Sequence, residues 1–230
     1  MLYVGLDDTD MPGTRGTGHL ARQVAAWLGD TYGYGVTGIT RHQLLYDRRI
    51  PYTANNSSNV IGVDVPESER QSIFEGVAAF VRPQCPEGSD PGLCVAMPGQ
   101  AENLSHGKRC QIEIVPLEDA LNAAQSRDIL LTSLAGSPCG MIGALAGVCL
   151  RASGDDGRYI HIGTIRELKG RVSYDDILDA GVDRVRTEDG REISSGYIET
   201  HDKLRPALRD GLATLFVRQV EDDLWESIKL

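Results

Sequence analysis

Three aspartates fall within four positions near the start of the sequence, Asp7, Asp8 and Asp10, in "GLDDTDMPGTRGTGHLA" (residues 5–21). Carboxylates crowded this closely repel one another at neutral pH. A hard divalent cation relieves that, and Mg²⁺ suits oxygen ligands, keeps several waters and is commonly shared with substrate phosphates. In an extended chain, alternation puts Asp8 and Asp10 on one side and Asp7 on the other. Gly13, Gly16 and Gly18 follow, where a bare backbone permits close approach, and the N–H groups opening the next helix suit phosphate oxygens. Thr9, Thr14 and Thr17 add hydroxyls. An acidic metal site beside an amide-lined anion site is the equipment of a nucleotide-dependent phosphoryl-transfer enzyme. The competing reading is plainer: turn and cap residues in a solvated loop. Neither GxxxxGK[ST] nor the DxDxT order of aspartyl-phosphate phosphatases is present.

The elements that must position these residues follow from periodicity. "LYVGL" (2–6) predicts a buried strand ending at the aspartates, where open α/β sheets bind ligands. Residues 17–29 place Leu20, Val24, Trp27 and Leu28 on one helical face, with Thr14 or Thr17 as the cap. Strands are expected over 35–45, 59–65 and at "LCVAM", and a helix over 67–82. "CQIEIV" alternates like a strand, whereas "PLEDALNAAQ" reads as a helix from Pro116. Small residues over 136–154 predict a helix, 158–165 a strand and 174–182 a short helix. The tail from Gly211 carries Leu212, Leu215, Phe216, Val220 and Leu224 at helical spacing and is expected to be a helix. Strands alternating with helices indicate an α/β (α+β) fold.

The 230 residues are 41% hydrophobic and 24% charged, an ordinary folded composition. A net charge of −10 argues against a broad phosphate-backbone surface. Five cysteines without a CxxC pair indicate neither a disulfide framework nor a zinc ribbon, and a cytoplasmic location is expected. The uncharged run Ile129–Leu150 is glycine-rich and contains Pro138, so a buried segment is expected there rather than a membrane span.

Four segments, in order, resemble the archaeal tRNA(Ile) 2-agmatinylcytidine synthetase family: "VGLDDTD" with "GTG-LA", "RHQLLYDRRIPYTANNSSNVIGV" (41–63), "DPGLCV" (90–95) and "GSPCGMIGALAGVCL" (136–150). The resemblance implies a kinase-like α/β domain with an associated ferredoxin-like domain over residues 1–165. Residues 166–230 are then a C-terminal extension packed on the same core, and 103–115 is helical rather than a strand. It implies ATP and Mg²⁺ as cofactors, Asp7, Asp8 and Asp10 as the acidic catalytic and metal-holding cluster, and Thr17 as the threonine that becomes phosphorylated. In the family, ATP activates the C2 oxygen of a cytosine as a phosphate ester and agmatine displaces the phosphate. Gly18 replaces the family's second threonine and His19 its tyrosine. The C-terminal OB-fold and zinc ribbon that hold tRNA have no counterpart.

The expected function is therefore ATP- and Mg²⁺-dependent activation of a carbonyl-type oxygen, on a small molecule or nucleobase, for attack by an amine. Asp8 and Asp10 hold metal, Asp7 positions metal or a hydroxyl, and Thr17 receives or orients phosphate. Thr9, Gly13, Thr14, Gly16 and Gly18 are expected around the nucleotide, and Arg41, Asn56 and Gly140 around the substrate. Arg41 has a surface-charge alternative, Asn56 a turn alternative, and the Gly140, Gly143, Gly147 stripe a close-packing one. Two other functions stand beside this: a noncatalytic nucleotide sensor, and a subunit of an RNA-modifying complex. Direct tRNA binding is not expected without a partner, no membrane is involved, and assembly into a homo-oligomer is left open.

Overall fold

The computed structural model describes residues 1–53, 55–201 and 203–229. The chain divides into two compact units, Met1–Ser153 and Gly154–Leu230. The division falls before β6, so that strand, which the sequence reading placed in a first region ending at residue 165, belongs to the second unit.

The first unit runs β1 (Leu2–Asp7), α1 (Thr17–Tyr32), β2 (Gly35–Gln43), β3 (Ser57–Asp64), α2 (Arg70–Val81), β4 (Gly92–Ala96), α3 (Pro98–Ala101), α4 (His106–Ile112), α5 (Leu117–Ser126), β5 (Leu130–Ser133) and α6 (Gly140–Ala152). Its strands form an antiparallel sheet in the order β5-β4-β1-β3-β2. The central strand β1 pairs Leu6 with Asn59 on one side and Asp7 with Gly92 on the other. Both of its faces are buried: Leu2, Val4 and Leu6 are 0% exposed on one, and Gly5 lies against Ala144 and Val148 of α6 on the other. α1 packs on β3 and α2 on β4, while α6 crosses β4, β1 and β3. That layering is the mixed α/β fold expected from the sequence.

α6 approaches the sheet closely because its facing side is bare. A methyl group at Gly140 would stand 2.1 Å from the Asp90 carbonyl, and one at Gly147 2.4 Å from Ser58 Oγ. The glycine stripe is thus a helix-on-sheet contact, the plainer of its two readings. Residues 106–112 are helical, as the family resemblance implied, and the strand reading of "CQIEIV" is overturned. The buried residues of this helix are His106, Gly107 and Cys110, a spacing of three and four that only a helical turn brings to one face. Cys110 there joins an apolar cluster with Ala146 and Leu150 of α6.

The second unit comprises β6 (Arg158–His161), β7 (Arg171–Ser173), α7 (Tyr174–Asp179), β8 (Arg184–Thr187), β9 (Tyr197–Glu199), β10 (Ala207–Arg209), β11 (Leu212–Glu221) and β12 (Leu224–Ile228). Its strand order is β6-β10-β11-β12-β9-β7, with β8 parallel to β11. Ile177, Val185, Ile198, Leu215 and Trp225 form its core. The helix expected in the tail is absent: residues 212–221 and 224–228 are strands of a hairpin. Asp210 and Gly211 both take positive φ (53° and 76°) and join β10 to β11, and Asp223 (58°) turns the chain into β12. Two tight turns override a weak helical period. Upstream of this hairpin lies β10, and residue 202 is outside the described residues.

Among the described residues, no helix is long and apolar enough to cross a membrane. The uncharged run 129–150 is β5, a turn and α6.

Candidate functional site

β1 ends at Asp7, and Asp8 takes a left-handed φ of 52°, which aspartate tolerates better than most residues. This reversal breaks the extended alternation. Asp7, Asp8 and Asp10 therefore all line one open cleft enclosing about 80 Å³, against the expectation that Asp7 points away. Thr17, Asn56, Gly140 and Cys139 line it too, and the 50–57 loop supplies Pro51, Tyr52 and Asn55.

The two leading carboxylates are unusual acids. Asp7 keeps part of its surface open to the cleft, yet its carboxyl lies flat against α6: a methyl at Gly143 would stand 1.8 Å from Asp7 Oδ2. Burial, followed by the charge of Asp8, pushes Asp7 up to about 8. Burial together with the charges of Asp90 and Asp10 pushes Asp8 up to about 6. Crowded, poorly hydrated carboxylates of this kind favour either a proton or a cation between them.

Asp10 is differently employed. Its Oδ1 accepts hydrogen bonds from the Thr17 backbone N–H (3.2 Å) and the Thr17 hydroxyl (2.7 Å), and its Oδ2 accepts from the Thr53 hydroxyl (2.7 Å). The residue capping α1 is Gly16, which offers no side-chain bond, so the expected threonine cap is not formed. Asp10 satisfies the first free N–H of the helix from a distance. Thr14 instead closes a turn, its hydroxyl donating to the Met11 carbonyl and accepting from the Met11 N–H (2.9 Å each). Gly13 has a φ of 88° within this turn.

The residues expected around a nucleotide therefore separate. Thr9 and Thr14 line a different cavity from the three aspartates, and Gly13, Gly16 and Gly18 line neither. Of the substrate-side candidates, Asn56 and Gly140 are in the cleft, whereas Arg41 is held by Ser57 Oγ through its Nε (2.9 Å). Asn56 also closes its loop, Nδ2 donating to the Leu45 carbonyl (2.8 Å).

Asp90 was not singled out as a site residue, although it opens the "DPG" segment. Its carboxylate accepts from the Ser137 N–H (2.6 Å) and hydroxyl (2.7 Å), fixing the turn before α6, and its backbone bonds Asp8. Cys139 and Tyr52 were also missed. A lone thiol and a loop tyrosine carry no spacing that marks them.

Among the described residues, no group of three or more His, Cys, Asp or Glu side chains is arranged to hold a metal ion. The three aspartates do not form a closed ligand set. Two carboxylates with substrate phosphates are sufficient for Mg²⁺, and Asp7 and Asp8 offer hard oxygen donors of that kind.

No protein-family model matches the sequence, and no curated protein sequence matches it. Solved structures do match in fold. Apo TiaS, an agmatidine synthetase acting on an isoleucine tRNA, aligns with a TM-score of 0.56 at 22% identity, over 64% of this chain and 35% of that one. A complex of TiaS with that tRNA and ATP aligns at 0.56 and 23%, over 64% and 36%. A tRNA fluorescent labeling enzyme aligns at 0.54 and 24%, over 64% and 35%. The chain spans about a third of the length of these proteins. What is shared is the fold of a part.

Proposed function

We propose that this protein uses ATP and Mg²⁺ to activate a carbonyl-type oxygen, on a small molecule or nucleobase, for attack by an amine. The observation that carries this is the Asp7–Asp8 pair, two carboxyls raised well above their ordinary range in an open cleft next to the Thr17 hydroxyl. Further support comes from fold neighbours whose structures were obtained with ATP, or with an ATP analogue and agmatine.

Asp7 and Asp8 would hold the metal ion, which when bound offsets phosphate charge and shields the nucleotide from the acidic wall. Asp10 is a positioning residue: its bond to Thr17 Oγ1 aims the hydroxyl oxygen and stands ready to take its proton. Thr17 receives the phosphoryl group or orients it. Phosphorylation is what the acceptor oxygen needs, because oxygen bound to carbon leaves poorly until it carries phosphate. Asn56 and the 50–57 loop form the wall available to the acceptor.

ATP turnover with Mg²⁺, measured on the native chain and on Asp8→Ala across amines and nucleobases, tests the reading. Turnover that falls at least a hundredfold in the variant supports it. Tight ATP binding with no turnover on any acceptor would assign a sensor instead.

A further inference from the structure

The Asp8–Thr17 loop has a second side. Thr9 lines another cavity, of about 450 Å³, together with Arg15, His19, Gln23 and Cys85, and no carboxylate lines it. In a chain of net charge −10 that is a marked departure from the average surface.

Thr14, Gln84 and Cys85 in its wall are hydrogen-bonded to backbone carbonyls, but other polar groups there are short of partners. Arg15 Nη1 and His19 Nε2 lie 3.0 Å apart and, among the described residues, are paired with each other rather than with an acid. Thr9 is 3% exposed, yet its hydroxyl has no hydrogen-bond partner among the described residues. Desolvation, followed by the cationic Arg15 and Arg22, holds His19 below its ordinary pKa. Leu20, Pro83 and Pro86 complete the wall with apolar surface.

We infer that this cavity is a phosphate-binding site, separate from the acidic cleft and independent of metal. A phosphate without a cation meets Asp8 and Asp10 in the acidic cleft, whereas no carboxylate lines this cavity. The guanidinium fork of Arg15 suits two phosphate oxygens, and His19 and Gln23 supply further donors. The phosphate is either the free ion or an ester in a polynucleotide backbone.

Isothermal titration in EDTA and low salt, with inorganic phosphate and with hexauridylate as probes, decides the matter. The native chain binds at least one probe, Arg15→Gln/His19→Gln weakens that binding tenfold or more, and Asp8→Asn leaves it intact or tighter. Gln23→Glu, which adds a carboxylate to the wall, weakens it similarly. All four positions are surface-accessible, and an unchanged melting temperature confirms folding. Hexauridylate binding more than tenfold tighter than phosphate identifies an esterified backbone phosphate; comparable binding identifies the free ion. Failure of both probes to bind, binding retained in the double variant, or binding lost in Asp8→Asn overturns the inference. Because no metal or ATP is present, none of these results depends on the chemistry of the acidic cleft.

Discussion

At Asp7 a carboxyl is pressed between a neighbouring acid and a glycine helix face, and the consequences can be measured. A carboxyl raised from 3.8 to about 8 contributes stability that is fully present below the ordinary value and is lost as pH rises through 8. Asp7→Asn removes that dependence. Denaturant unfolding in EDTA should show the variant gaining on the native chain between pH 5 and pH 8.5, by on the order of 1–3 kcal/mol. A pH-independent difference would mean that Asp7 is an ordinary solvated acid. Gly143→Ala probes the same contact from the helix side. Its methyl would collide with Asp7 Oδ2, so the variant should lose about 1–3 kcal/mol and Mg²⁺-dependent ATP binding together. An alanine variant with native stability and binding would show that the carboxyl is free to move aside. The sequence placed three acids, one threonine and two glycine clusters near one another. It could not distinguish Asp10, which serves α1, from Asp7 and Asp8, because the difference lies in hydrogen bonds across seven to forty-three residues.

Among the elements, those with a strong period were legible. α1, α2, α6 and the central strands lie where apolar spacing and β-branched runs put them, within a few residues. Elements defined by tertiary pairing were not: β5, β7, β8 and β9 are three or four residues each, too short to show a period. The tail misled because Leu212, Leu215 and Phe216 satisfy a helical spacing that the sheet ignores. The overlooked signal was the Asp210–Gly211 pair between two apolar runs. Gly211→Val should therefore cost about 1–2 kcal/mol by thermal or urea unfolding, since a β-branched residue resists a φ of 76°. An unchanged midpoint would indicate that β11 sets its register without the turn.

For the whole molecule, the mixed α/β class was readable and so was the gathering of Asp7, Asp8, Asp10 and Thr17 at one cleft, whereas the division of the chain was not. "GDDG" at 154–157 looks like any loop, and only the pairing of β6 with β10 assigns it to the second unit. The net charge argued against a broad nucleic-acid surface but, being a sum, hid the carboxylate-free cavity beside α1. The same summation hides the opposite: the carboxyls of Asp7, Asp8, Asp10 and Asp90 crowd one end of β1, where an anionic ligand needs protons or a counter-ion in place. The most direct test is a crystal structure with Mg²⁺ and a non-hydrolysable ATP analogue. The ion should contact Asp7 or Asp8, with the terminal phosphate beside Thr17. An analogue bound away from the acidic cleft, or bound there with no ion on either carboxylate, would contradict the account.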